Sequence, residues 1–141
     1  MNLQFGVEDA SYQAAGQQAG ISQLVSDFYR LMDSQPEYRQ LRNLHTTDLQ
    51  QSEDKLAVFL TGWLGGPRLY REKYGPISIP IVHQHLNITR DTLEQWMSCM
   101  IQAIKLQDYS DEFSDYLITQ LRVPAERILM VIEARKPTNQ E

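Results

Sequence analysis

Apolar residues recur along this chain at spacings of three and four, and nowhere at a sustained spacing of two. That period belongs to helices with one buried face, because helical side chains return to the same side about every 3.6 residues while strand side chains alternate. Ile21, Leu24, Val25, Phe28, Leu31 and Met32 form such a stripe over residues 20–34. Leu56, Phe59, Leu60 and Trp63 form a second. Leu93, Trp96, Met97, Met100, Ile101 and Ile104 form the clearest, over residues 89–106. A last helix is expected from near Ser110, burying Phe113, Leu117 and Leu121, with Pro124 kinking or dividing it before Ile128, Leu129 and Ile132. The nearest thing to a strand, Ile77 to Val82, is spoiled by Pro76 and Pro80. The chain therefore reads as all-α, and residues 1–141 as one domain with one core.

Local punctuation divides the helices. Ser34-Gln35-Pro36 is a turn, and residues 37–44 form a short helix carrying Leu41 and Leu44. Thr47-Asp48-Leu49-Gln50 has the form of a capping box, which predicts a helix start there. Gly65-Gly66-Pro67 is a strong stop. Residues 65–80 then read as mostly irregular, an uncommon length of loop that often carries function. Pro80 suits the first turn of a very short helix around Ile81 to His85, and residues 136–141 read as a frayed tail.

Charge and rare residues narrow the chemistry. A net charge of −5 repels phosphate backbones, and no basic cluster invites an anionic membrane. No run approaches the roughly 20 apolar residues of a membrane span. The first residues lack a charged leader and an apolar core, so the expected location is cytoplasmic. Cys99 is the single cysteine, which excludes an intrachain disulfide and zinc-finger spacing and suits a small core residue. There is no glycine-rich phosphate loop and no local Ser/His/Asp signature. What remains are His45, His83, His85, Trp63 and Trp96. On a helix His83 and His85 stand about 200° apart, so they do not hold one metal together, and spacing alone leaves each readable as a surface histidine.

The combination of motifs says more. Phe28-Tyr29-Arg30-Leu31-Met32, Leu44-His45, Lys55-Leu56, Phe59-Leu60 and Trp63-Leu64-Gly65-Gly66-Pro67 stand in order, followed by Tyr70, Glu72, Gly75, His83, Ile88, Trp96 and Met100. The specific part is Phe-Tyr in one helix, Trp-Leu-Gly-Gly-Pro closing a later one, a histidine 16 residues after that proline and a tryptophan 13 after the histidine. In this combination, over roughly residues 12 to 105, the chain resembles the group II (O-type) truncated haemoglobins.

The resemblance implies a truncated globin, a two-over-two helical sandwich around one haem b, with the proximal helix cut to about one turn. It implies His83 as the axial ligand to the iron, Tyr29 as the distal tyrosine and Trp96 as the tryptophan facing bound gas. His45 falls at the variable corner position, as a donor to the gas or an internal ligand to iron. Phe28, Leu56, Phe59, Leu60 and Leu86 line the apolar wall, with Ser52 one turn before Leu56. The implied partners are dioxygen, nitric oxide and carbon monoxide, with an unidentified reductase supplying electrons. The chain departs from the family where arginines usually precede the proximal histidine. Ser78-Ile79-Pro80-Ile81-Val82 stands there instead, leaving Arg68, Arg71, Lys73, Tyr70 and Tyr74 as candidate propionate anchors. A gas held by several donors leaves slowly. The expected activity is therefore NO dioxygenase-like or peroxidase-like chemistry on bound oxygen, with oxygen binding, storage or sensing without turnover as the alternative.

Overall fold

The computed structural model describes residues 5–45, 47–74 and 88–135. Its helices, in chain order, are α1 (Ala10–Ala14), α2 (Gln17–Ser34), a 3-10 turn (Pro36–Tyr38), α3 (Arg39–Arg42), α4 (Gln50–Trp63), α5 (Leu69–Tyr74), α6 (Arg90–Lys105) and α7 (Asp111–Arg135). No strand occurs among the described residues. α2 packs on both α4 and α6, and α6 packs on α7. The short helix around Ile81 to His85 and the tail at 136–141 lie outside the described residues.

Three local expectations need correcting. Residues 65–80 are not one irregular loop, since α5 occupies Leu69–Tyr74 within them. The helix is six residues long and mixes charged and aromatic side chains, so it offers no apolar period to read. The Thr47 to Gln50 sequence forms no capping box. α4 starts at Gln50 behind Leu49 without a side-chain cap, although the Asp48 carboxylate accepts the Gln50 N–H at 2.9 Å. The reciprocal box stands at Thr89 and Thr92 instead, where each side chain meets the other's backbone N–H and opens α6. Pro124, finally, does not divide the last helix, which runs through it.

The stripes read from sequence meet in the main core. Ile21, Leu24, Phe28 and Met32 of α2 pack with Leu60 of α4, Cys99, Met100 and Ile104 of α6, and Phe113 and Leu117 of α7. Each large apolar side chain so buried contributes about 1.5–3 kcal/mol relative to exposure. A second cluster lies between α6 and α7, where Leu93, Met97 and Leu129 pack with Ile88, Ile118 and Ala125. Trp96 packs against both clusters.

The Gly-Gly-Pro stop does more than end α4. Gly65 has φ of 99°, in the left-handed region where a Cβ is strained, and a Cβ there would sit 2.1 Å from the Glu8 carbonyl oxygen. A Cβ at Gly66 would lie 2.5 Å from the Tyr12 ring. The N-terminal segment crosses this turn at close range, and the Tyr12 N–H donates to the Leu64 carbonyl at 2.9 Å.

Candidate functional site

Tyr29 follows Phe28 in α2, on the face that meets α6. The two rings stand edge to face at 5.0 Å, and Phe28 meets Trp96 of α6 in the same manner at 5.3 Å. The backbone here is pinned from two sides. The Cys99 thiol donates to the Phe28 carbonyl at 3.3 Å, and burial pushes that thiol up to about 12, so it stays protonated. One residue earlier, Asp27 is buried and accepts from Arg30 at 2.9 Å, from Gln107 at 2.8 Å and from Gln23 at 3.2 Å. Burial alone would raise its carboxyl, but these hydrogen bonds outweigh burial and hold it below its ordinary value. Asp27 and the Phe28 carbonyl thus tie α2, just before Tyr29, to α6 and to Gln107 beyond its end.

Tyr29 itself is 6% exposed, and its hydroxyl has no hydrogen-bond partner among the described residues. Burial, with the Glu53 charge second, holds the phenol well above its ordinary value, so it carries its proton at neutral pH. A buried donor without an acceptor costs about 1–3 kcal/mol. The half-buried Trp96 indole N–H likewise has no partner among the described residues. Among the described residues, neither of the two donors that flank Phe28 meets an acceptor.

His45 approaches Tyr29 from the corner after α3, edge to face at 5.7 Å. α6 sets the place of that corner. The Gln95 side chain accepts from the Leu41 N–H at 3.0 Å, and the Tyr38 hydroxyl bonds Ser98 at 3.1 Å. The Leu41 carbonyl in turn holds His45 Nδ1 at 3.0 Å. A carbonyl only accepts, so Nδ1 must carry a proton, and in a neutral ring Nε2 is then the lone-pair nitrogen. This alters the sequence expectation for His45: the neutral ring spends its N–H on Leu41, and only the imidazolium offers a second donor.

The apolar residues expected at the site fall into two groups. Leu56, Phe59, Trp63 and Trp96 pack on the main core but remain only partly buried, and Phe59 stacks on Trp63 at 6.3 Å. Leu60 lies wholly inside the core. Ser52 is half-buried in α4. His83, His85 and Leu86 lie outside the described residues. Partly open apolar side chains on the same core as Tyr29, whose hydroxyl has no partner among the described residues, are the makings of a mostly apolar ligand site with few polar contacts, which fits a largely hydrophobic cofactor.

Near α5, the Asp54 carboxylate of α4 receives both Lys73, at 2.6 Å, and the Tyr74 hydroxyl. The Lys55 ammonium sits 5.3 Å above the Tyr74 ring and has no carboxylate partner among the described residues. Arg68 is exposed and likewise unpaired there. Lys55 belongs to the Lys55-Leu56 motif but carried no expected role; its one signal was a cation next to an apolar pocket residue. Among the described residues no three His, Cys, Asp or Glu side chains gather as a metal-ligand set, and no helix is long and apolar enough to cross a membrane.

Comparison with known proteins agrees with this architecture. The family model of the bacterial-like globins matches residues 10–129. The chain is 32% identical over 126 residues to the group 2 truncated hemoglobin YjbI of Bacillus subtilis, covering 89% of this chain and 92% of that protein. It superposes on the group II 2-on-2 hemoglobin of Agrobacterium tumefaciens with a TM-score of 0.81 at 30% identity, over 84% of this chain and 92% of the other. On the truncated oxygen-avid haemoglobin of Bacillus subtilis the TM-score is 0.76 at 31% identity, over 84% of this chain and 98% of the other.

Proposed function

The chain belongs to the bacterial-like globin family, as a group II truncated haemoglobin, and from that premise we propose that it holds haem b through His83 and retains dioxygen under hydrogen bonds from Tyr29 and Trp96. The observation that carries this reading is the buried Tyr29 hydroxyl, which has no partner among the described residues and whose ring packs through Phe28 toward Trp96. Natural folds rarely leave such a group unsatisfied unless a ligand completes it.

Haem supplies an iron that binds a diatomic gas and shifts electron density onto it. The protein then has two tasks, to hold the cofactor and to meet that charge. For the first, His83 would ligate the iron, and Leu56, Phe59 and Leu86 would form the apolar wall, with Phe28 and Leu60 behind it. The propionates are assigned to Lys55 and Arg68, because Lys73 and Tyr74 are already committed to Asp54.

For the second task, Tyr29 and Trp96 would donate toward the gas. A hydrogen bond to a charged acceptor is worth about 1.5–3 kcal/mol, so two slow release by roughly two to four decades. The oxygen avidity named for the Bacillus subtilis haemoglobin is in keeping with this. Such retention suits turnover of oxygen with nitric oxide or peroxide, with electrons from a reductase, better than delivery.

The test is spectroscopic and kinetic. Protein supplied with haem should bind it one to one with a Soret band and release oxygen slowly. Failure to retain haem would sink the proposal; rapid oxygen release would remove the case for a retaining pocket.

A further inference from the structure

Four charged side chains close a ring across the junction of α6 and α7. Arg90 grips Glu126 with both terminal nitrogens, at 2.5 and 2.9 Å. Arg122 grips Glu94 in the same way, at 3.0 and 3.1 Å. Two further contacts close the ring, Arg122 to Glu126 at 3.1 Å and Arg90 to Glu94 at 3.3 Å. Two-pronged pairing of this kind carries directional as well as electrostatic preference. Single exposed ion pairs contribute little, but a closed network of four shares each charge between two partners.

Its position is what gives it consequence. Arg122 and Glu126 flank Pro124, which has no N–H for the Gln120 carbonyl four residues back, so α7 lacks one of its own hydrogen bonds there. The Arg122–Glu126 pair braces that gap along the helix, while Arg90 and Glu94 fasten it to the first two turns of α6. Directly beneath are Leu93, Met97 and Leu129 with Ile118 and Ala125, and Trp96 packs against this cluster as well as against the main core. Trp96 is two residues past Glu94, so the segment of α6 that the ring clamps is the segment that carries the indole.

We infer that Arg90, Glu94, Arg122 and Glu126 are positioning residues that hold the Trp96 indole in place, and thereby make oxygen retention depend on ionic strength. The consequence for oxygen rests on Trp96 donating to bound gas, as proposed above; the clamp on the indole does not. Salt loosens the ring because its members are all partly exposed. The screening length falls from about 10 Å at 0.1 M to about 3 Å at 1 M.

The experiment uses the full-length haem-bound protein and the Glu126→Gln variant, which keeps the shape and removes one charge. Exchange of the Trp96 indole proton with water is followed by NMR in the carbon monoxide form, with Trp96→Phe identifying its signal. Oxygen dissociation rates are measured in parallel at about 0.05 and 1 M salt. The clamp predicts that Glu126→Gln speeds both indole exchange and oxygen release by about threefold at low salt. It also predicts that 1 M salt brings the parent protein toward the variant, and that the variant, which keeps only the pairs to Glu94, responds to salt less than the parent does. In a Trp96→Phe background Glu126→Gln should leave oxygen release unchanged. Unaltered indole exchange in Glu126→Gln overturns the clamp, even if the melting temperature falls, because that pattern marks a purely structural ion pair. Faster exchange with no oxygen effect of Trp96→Phe itself would support the clamp and refute the donor role of Trp96.

Discussion

Removing the Tyr29 hydroxyl should move stability and function in opposite directions. Tyr29→Phe keeps the ring, and with it the edge contacts to Phe28 at 5.0 Å and His45 at 5.7 Å. No cavity forms, since the side chain is 6% exposed and loses a single atom. The deleted hydroxyl has no partner among the described residues, so the folded protein is relieved of part of a desolvation cost of about 1–3 kcal/mol. The gain is expected at about 1 kcal/mol. Oxygen release should accelerate by one to two decades, because a charge-assisted bond of about 1.5–3 kcal/mol is lost. Urea unfolding of the carbon monoxide form, whose ligand accepts only weakly, measures the first quantity, and stopped-flow oxygen displacement the second. A stability loss above about 1 kcal/mol with unchanged oxygen release would refute the reasoning, since it would mean that the hydroxyl serves the fold.

Three further outcomes are expected. His83→Ala should lose haem on gel filtration while His85→Ala keeps it; the reverse would shift the assigned ligand by two positions. Gly65→Ala should destabilise by at least about 2 kcal/mol in urea unfolding, because a Cβ there combines a φ of 99° with a 2.1 Å approach to the Glu8 carbonyl; a loss below about 0.5 kcal/mol would show that the N-terminal segment yields freely. Hydrogen bonds from Arg90 to Glu126, and from Arg122 to Glu94, hold both carboxyls below their ordinary value of 4.5. Groups lowered on folding stabilise above their unfolded pKa and lose that contribution as pH falls through the folded one. The melting temperature should therefore drop as pH falls below about 4.5, with a shallower drop in Glu126→Gln; identical acid limbs would remove the ring from the account.

The helices of the core were legible because the code for them is local. Spacings of three and four at Ile21 to Met32 and at Leu93 to Ile104 suffice to say which face is buried, whatever it packs against. α5 escaped because six residues carry no measurable period, and of the two outcomes expected at Pro124 a division does not occur, because flanking turns and tertiary contacts keep α7 helical through a missing hydrogen bond. At the site, the motifs brought forward Phe28, Tyr29 and Trp96, whereas the contact of Phe28 with Trp96, and the lack of any described partner for the Tyr29 hydroxyl, were not legible. An orphaned hydroxyl is a statement about every neighbour at once.

The sequence by itself determined residue type and order: an all-helical chain, a Phe-Tyr pair on one apolar stripe, a tryptophan on another, and glycines where α4 must stop. Each follows from the 3.6-residue period and from the steric limits on φ, which act within a few residues. Only the tertiary structure decided that Gly65 and Gly66 admit Glu8 and Tyr12 at close range, that Gln95 and Leu41 fix the corner and so the protonated nitrogen of His45, and that four exposed charges brace α7 across its proline. These depend on contacts between residues tens of positions apart. Hydrogen bonds and ion pairs over such separations are set by how helices cross, and no local pattern encodes a crossing.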